Sequence, residues 1–328
     1  MLQAVRVWGR QLRTRVRLPS QPVEVHAPLL SEADLAQLRH ALQALVSAPY
    51  ARESEHRHLG DLRSVHLGGG LDFEEVRPYQ PGDDVRGMDW RTTARAARPY
   101  VKIYRETHQP ALHIVMDRSA SMRFGTRGRL KVTQAARLVA LLVLHAARDH
   151  TCIGGSVLQI PVQTLACHHG ERGALQLIQA AIAPCPPLDG NGLGDVPCWS
   201  ELFSQLDAQL ERGSRVVLIS DFRSLIETDA AALLRLASRH RVQAFQVLDR
   251  TEMVLPDVGL MRFQDAVTGA LRWLDTGNAA LRAAFAQHAS ARQAAQLALF
   301  RRAGVALRRC RADADALEVL TTPCIPPP

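Results

Sequence analysis

The stretch Leu112-His113-Ile114-Val115-Met116-Asp117-Arg118-Ser119-Ala120-Ser121 decides how the rest of this chain is read. A short, nearly continuous apolar run that stops at a polar cluster predicts a buried strand over residues 112–116. The strand ends in one carboxylate and two hydroxyls with the spacing Asp-x-Ser-x-Ser. In an open α/β sheet, ligands bind outside the carboxyl ends of the strands. Asp117, Ser119 and Ser121 are therefore the first candidate functional residues. By itself the spacing would arise by accident in roughly one chain in ten at average residue usage, so it needs a companion.

The companion is Arg215-Val216-Val217-Leu218-Ile219-Ser220-Asp221, a second apolar run ending in Asp. A continuous run of this kind is how a strand buried on both faces reads. In a parallel sheet Asp117 and Asp221 would project from one edge. Around these two strands the pattern alternates. Helices are predicted over 129–148 (Leu130, Ala135, Leu138, Leu141 and Leu142 inward), 171–183, 200–211, 229–240 and 278–302. Further strands are predicted over 151–158, 242–248 and 304–309, and a Pro/Gly/Asp-rich loop over 184–197. This order predicts an α/β fold with a doubly wound, mostly parallel sheet.

Ser200, at the head of the helix after that loop, brings another hydroxyl towards the same edge. Two roles stand level for it, a helix N-cap alone or a cap that is also a ligand. Carboxylates and hydroxyls are hard oxygen donors and suit Mg²⁺, Mn²⁺ or Ca²⁺, not zinc or copper. The candidate metal set is Asp117, Ser119, Ser121, Ser200 and Asp221, with Mg²⁺ as the first choice of divalent cation. Mg²⁺ seldom takes a full protein cage, so one position would stay open for a partner's carboxylate. His113 reads as a satisfied core histidine, and His168-His169 as a loop or surface pair.

Upstream the chain divides into two pieces. Residues 1–50 hold a basic arm, with five arginines among the first 17 residues, and an amphipathic helix over 32–47. Ser31 is its predicted N-cap, Glu32 and Asp34 lie in its first turn, and Leu35, Leu38, Leu42 and Leu45 fall at helical spacing. Residues 51–110 are dense in charge and glycine. Gln80-Pro81-Gly82-Asp83 predicts a type II turn and 100–104 a strand. Arg77, Arg86, Arg91 and Arg95 are interleaved with Asp83, Asp84 and Asp89. The spacing favours an ion-pair network that fixes an irregular loop over a recognition surface. Tyr79 and Trp90 read as packing residues. Residues 111–328 form the third unit.

Composition bounds the function. The chain has 328 residues with 47% hydrophobic and 22% charged, ordinary for a globular protein. The net charge of +8 raises nucleic acid, an anionic membrane or an acidic protein as partners. Only 5% of residues are aromatic and no basic stripe carries interleaved aromatics, so no nucleic-acid partner is expected. The predominantly apolar run Leu138–Ala147 is too short to span a bilayer. Membrane contact would be peripheral, through the basic arm. No secretory signal is read at the start of the chain. Without G-x-x-x-x-G-K-[ST] the chain should not itself hydrolyse ATP, and Ser119 lacks a G-x-S-x-G elbow. The six cysteines form no C-x-x-C pair and read as thiols in a reducing, cytoplasmic setting.

Beyond these residue-level readings, the segment from Ala111 onward resembles the von Willebrand factor A domain with its metal-ion-dependent adhesion site. More closely, residues from about 60 to 225 resemble the bacterial "domain of unknown function 58" family. The matching residues include Arg63-Ser64, Gly68, Gly70, Phe73, Arg77, Tyr79, Pro81-Gly82-Asp83-Asp84, Arg86, Asp89-Trp90, Ala94-Arg95 and Lys102. They continue through Glu106 into Asp117-Arg118-Ser119-Ala120-Ser121-Met122 and later Val217-Leu218-Ile219-Ser220-Asp221-Phe222.

The resemblance implies a von Willebrand factor A (Rossmann-like) sheet with an N-terminal extension and a small β-rich elaboration. It also implies work beside a MoxR-type AAA+ ATPase in chaperone-like maturation or assembly, with a client protein. Where the family shows a Gly-Thr-Asp-Leu-like turn, this chain has Trp199-Ser200-Glu201-Leu202, so Ser replaces the expected Thr ligand. The expectation is a non-enzymatic, metal-dependent adaptor. The alternatives are a metal-dependent hydrolase and, behind it, a nucleic-acid binder.

Overall fold

The computed structural model describes residues 27–47, 71–81, 88–96, 98–106, 110–126, 128–159, 161–185, 198–264 and 270–321. In chain order the elements are α1 (Glu32–Ser47), β1 (Leu71–Pro78), α2 (Trp90–Ala96), β2 (Tyr100–Glu106), β3 (Leu112–Asp117), α3 (Lys131–Arg148), β4 (Cys152–Leu158) and β5 (Gln163–His169). They continue with α4 (Gly170–Ile182), α5 (Trp199–Gln209), β6 (Arg215–Ser220), α6 (Ala230–Arg239), β7 (Arg241–Leu248), β8 (Leu260–Gln264), β9 (Leu271–Asp275), α7 (Ala279–Arg302), β10 (Ala306–Arg311) and α8 (Ala316–Thr321).

Six strands form the central sheet in the order β10-β7-β6-β3-β4-β5. All neighbours are parallel except the last pair, in which β5 returns antiparallel along β4. Every residue of β3 is buried, as its uninterrupted apolar reading required. Alternate side chains of β3 enter opposite layers. Leu112, Ile114 and Met116 join a core with α1, α3, α4 and α8, and Val115 joins a core with α5, α6 and the end of α7. Helices thus cover both faces of a mostly parallel sheet, the doubly wound arrangement. Each fully buried large apolar side chain contributes about 1.5–3 kcal/mol.

The helix α3 explains the apolar run that is too short for a bilayer. It lies between the sheet and the outer helices α1 and α8, and is buried on most of its circumference. A helix that is hydrophobic nearly all round belongs inside. No described helix is long and apolar enough to cross a membrane.

The helix α1 starts as expected. Ser31 Oγ accepts from the Asp34 amide at 3.1 Å, and Asp34 Oδ2 accepts from the Ser31 amide at 2.9 Å, a reciprocal cap. Six elements were not anticipated: β1, α2, β5, β8, β9 and α8. The strand β5 is mostly exposed, so it lacks the apolar alternation by which strands are read. The hairpin β8–β9 forms a two-stranded sheet of its own and carries exposed Leu260, Leu271 and Trp273 on one face. Its face is not patterned against a core. The helix α8 is a six-residue helix, below the length at which periodicity declares itself. The strand β1 pairs antiparallel with the expected β2. The last strand begins at Ala306, two residues later than predicted, because Gly304 sits at φ +66° and ends α7 in the left-handed turn that glycine favours.

Cys152 and Cys167, on neighbouring strands β4 and β5, are joined by a disulfide with Cα atoms 5.7 Å apart. This corrects the expectation of thiols throughout. The antiparallel return of β5 brings together two cysteines whose sequence spacing carried no signal. Cys185, Cys198 and Cys310 are free.

Candidate functional site

Asp117 is the last residue of β3 and is 1% exposed. The parallel register sets Met116 against Ile219, so the next residue along each strand brings Asp117 beside Ser220. Its Oδ1 accepts from the Ser119 amide at 2.8 Å, and its Oδ2 accepts from the Ser220 hydroxyl at 2.5 Å. Ser119 Oγ and Ser121 Oγ lie 3.3 Å apart at the head of the short 3-10 turn 120–123. One carboxylate and two hydroxyls therefore gather on one loop. Burial and the neighbouring Asp221 charge push the Asp117 carboxyl up to about 6, against the hydrogen bonds from Ser220 and Ser119.

Asp221 follows β6 directly and is 2% exposed. Its Oδ1 accepts from the Arg223 amide at 3.0 Å. Its Oδ2 faces Lys131 Nζ at 2.7 Å, and the same ammonium lies 2.7 Å from Glu252 Oε1. The turn that aims Asp221 is unusual. Phe222 takes φ +54° although it is not glycine, a conformation that costs energy and persists only where its surroundings impose it. Here its amide donates to Ser220 Oγ at 2.8 Å, and its carbonyl accepts from Gln296 Nε2 at 2.7 Å. Its ring is fully buried, 5.5 Å from Trp199 and 4.8 Å from Phe300 between centroids.

A third strand end joins this edge. Asp249, just after β7, accepts from the Thr126 amide at 2.9 Å and hydroxyl at 2.7 Å, and from Thr251 in the same two ways. Burial pushes its carboxyl up, but these hydrogen bonds outweigh burial and leave it below the ordinary value. Asp249 thus ties the loop after β3 to the end of β7.

Ser200 is placed differently from the expectation. Cys198 occupies the N-cap position of α5 and makes no side-chain cap. Ser200 lies inside the first turn, where its amide donates to Asp229 Oδ1 at 3.1 Å and its Oγ neighbours Cys198 Sγ at 3.5 Å. The capping carboxylate comes from Asp229, which also accepts from the Ile226 amide at 2.9 Å. Ser200 therefore does not cap the helix by its own hydroxyl.

The upstream signature residues sit on the β1–β2–α2 unit. Asp89 caps α2, accepting from the amides of Arg91 at 3.0 Å and Thr92 at 3.3 Å. Arg77 lies at the end of β1 and its Nη1 donates to the Pro78 carbonyl at 3.3 Å, while the Tyr79 amide donates to the Pro99 carbonyl at 2.8 Å. Arg95 is in the last turn of α2. Trp90 is 70% exposed, which corrects its assignment as a packing residue: it stands at the first position of a seven-residue helix that buries no residue. Gly82, Asp83, Asp84 and Arg86, and with them the second half of the expected turn Gln80-Pro81-Gly82-Asp83, lie outside the described residues, as do residues 186–197 and the basic arm over 1–26.

His113 is 5% exposed with Nε2 at 2.9 Å from Ser156 Oγ, the satisfied core histidine expected. His168 and His169 end β5 rather than occupying a loop. Sequence reasoning missed Ser220, Lys131, Glu252, Asp249 and Thr126. Ser220 could have been found, as the neighbour of Asp221 on a strand paired with β3. Glu252 and Asp249 follow a strand with no motif around them.

The profile of the family described as "Protein of unknown function DUF58" matches residues 75–295. The chain belongs to the DUF58 family. Its DUF58 relatives include an uncharacterized protein of Mycobacterium bovis, 32% identical over 304 residues, covering 90% of this chain and 92% of that protein. An uncharacterized protein of Mycobacterium avium is 35% identical over 151 residues, covering 45% of this chain and 82% of that protein. Among solved structures, BatB from Bacteroides thetaiotaomicron matches at 14% identity and TM-score 0.37, covering 64% of this chain and 94% of that one. An aerotolerance-related membrane protein from Bacteroides fragilis matches at 16% identity and TM-score 0.40, covering 64% and 95%. The sheet of this DUF58 chain is mostly parallel and doubly wound, with Asp117, Ser119 and Ser121 at the carboxyl end of a central strand.

Tested against a divalent cation, the donors divide into two halves. On the β3 side the fit is good: hard oxygens from Asp117, Ser119 and Ser121, with a buried carboxylate that makes no direct ion pair to an ammonium or guanidinium among the described residues. On the β6 side Asp221 already faces a lysine. Among the described residues no three His, Cys, Asp or Glu side chains form a metal-holding group, so any such ion would rely on the hydroxyls.

Proposed function

We propose that this DUF58 protein is a non-enzymatic adaptor that binds a protein partner at the carboxyl edge of β3 and β6. Asp117, Ser119 and Ser121 hold a divalent cation, Mg²⁺ first and Mn²⁺ or Ca²⁺ as alternatives, with Asp221 nearby. Ser200 stands at the start of α5 in place of the expected Thr. The ion supplies a Lewis-acidic position for a carboxylate of the partner. The chain's own residues position the loop, keep water from the Asp117 carboxylate and order the two hydroxyls.

The observation that carries this reading is the Asp117 carboxylate, buried at a strand end beside two hydroxyls and pushed up to about 6 by burial and by Asp221. A buried carboxylate in that state gains from a cation more than an exposed one does. The partner proposed is a MoxR-type AAA+ ATPase, in chaperone-like maturation or assembly of a client protein in the cytoplasm. The family resemblance and the lack of a P-loop in this chain support that choice. The test is retention of the ATPase by the immobilised full chain, with and without EDTA. Loss of retention with EDTA and in Asp117→Ala supports the reading. Equal retention by Asp117→Ala and wild type ends it.

A further inference from the structure

Lys131 is the first residue of α3, and its side chain is completely buried. A cation at a helix N-terminus faces the positive end of the helix dipole. Burial costs it several kcal/mol more unless it is paired. Two carboxylates meet that demand at 2.7 Å each, Asp221 and Glu252. Both are fixed from behind. Asp221 Oδ1 accepts the Arg223 amide, and Glu252 Oε2 accepts the Asp249 amide at 3.0 Å within the capping box of the turn after β7. Lys131 is anchored too, its amide donating to the Phe124 carbonyl at 2.8 Å. The three charged groups come from three separate elements, so the ammonium is a built part of this edge.

We propose that Lys131 is an internal counter-cation that withholds Asp221 from a divalent ion, so that the chain alone offers only Asp117, Ser119 and Ser121. This rests on the metal reading above and adds to it the reason for a partner. With one available carboxylate the ion is held weakly, because affinity at oxygen sites rises with the count of ligand charges. An acidic side chain of the partner then supplies the second carboxylate, and ion and partner bind together. Lys131 is a positioning residue in this scheme. It touches neither ion nor partner and acts through Asp221.

The test is Mn²⁺ binding to the full chain by calorimetry, with electron paramagnetic resonance of free Mn²⁺ as a second readout. The principal variant is K131M/E252Q, which removes one charge of each sign, keeps the length of the Glu252 side chain and shortens that of Lys131 by one atom. It avoids the uncompensated acid cluster that K131M alone would bury. Thermal melting without metal checks that it folds. The double variant is expected to bind Mn²⁺ at least tenfold more tightly than wild type. Adding D221N to it should return the affinity to the wild-type range. Added Mn²⁺ should raise the melting temperature of the double variant more than that of wild type.

If the double variant binds Mn²⁺ no tighter than a wild type that binds it measurably, the role of Lys131 is overturned and the metal reading stands. If neither protein binds Mn²⁺ and Asp117→Ala alters nothing, the metal reading fails and takes this proposal with it. If the gain survives D221N, the released group is not Asp221 and the proposal is overturned.

Discussion

The Ser220 hydroxyl donates to Asp117 Oδ2 at 2.5 Å across the β3–β6 pair, while accepting from the Phe222 amide at 2.8 Å. One hydroxyl thus steadies the candidate ligand on one strand and the left-handed turn on the other. Ser220→Ala removes a buried hydrogen bond to a carboxylate and leaves the Phe222 amide without that acceptor. Hydrogen bonds to charged groups contribute about 1.5–3 kcal/mol. The expected result is a lower urea midpoint, by that free energy divided by an unchanged slope, and a further rise of the Asp117 carboxyl.

Two buried groups titrate in overlapping ranges with opposite signs. Burial pushes His113 down from 6.5 to about 4. Its contribution to stability is full above 6.5 and is lost as pH falls towards 4, on the order of 3 kcal/mol. Asp117 is raised from 3.8 to about 6. The native state holds that proton more tightly than the unfolded chain, so stability is lost as pH rises from 3.8 through 6, again on the order of 3 kcal/mol. In metal-free buffer the two slopes oppose each other. His113→Asn should make the protein more stable on acidification from pH 6 to 4, and Asp117→Asn should make it less stable. Denaturant titrations at several pH values read both slopes.

Asp229 accepts the Ile226 amide at 2.9 Å and the Ser200 amide at 3.1 Å. Asp229→Ala leaves both donors without their carboxylate and should cost about 1 kcal/mol, typical of a lost cap. Amide hydrogen exchange should quicken at Ser200 and Ile226 while β3 and β6 stay protected.

Arg118, between Asp117 and Ser119, is 1% exposed and points away from the candidate site. Its guanidinium donates to the carbonyls of Ala180 at 3.0 Å and Ala183 at 2.5 Å, at the end of α4. Arg118→Met fills part of the volume but leaves those carbonyls unpaired. A loss of about 2–3 kcal/mol is expected, measured as a fall in the denaturation midpoint.

The parts of the molecule legible in the sequence were those whose environment is uniform along the element. The strands β3 and β6 are buried on both faces, so nearly every position had to be apolar, and their terminal aspartates stood out. α1 announced itself through Ser31 and its leucine spacing. The strand β5 and the hairpin β8–β9 were hidden because their side chains face solvent and follow no period. Within the site, Asp117, Ser119 and Ser121 belong to one loop and were readable as a spacing. Lys131 and Glu252 reach Asp221 from elements far apart in sequence, and Lys131 reads as an ordinary charge in the first turn of an apolar helix. Ser200 was misjudged as a cap because capping by a carboxylate from another loop leaves no local trace.

Arg118 and Asp229 have a joint consequence for how this chain can change over generations. One secures the stretch up to Cys185, whose Sγ lies 3.4 Å from its guanidinium, and the other secures the stretch from Ser200. Residues 186–197 therefore join two points that are each fixed by the body of the fold. Lengthening such a connection costs little, about 0.6 kcal/mol for each doubling. A change in the length of this connection would leave the carboxylates and hydroxyls at the strand ends in their places.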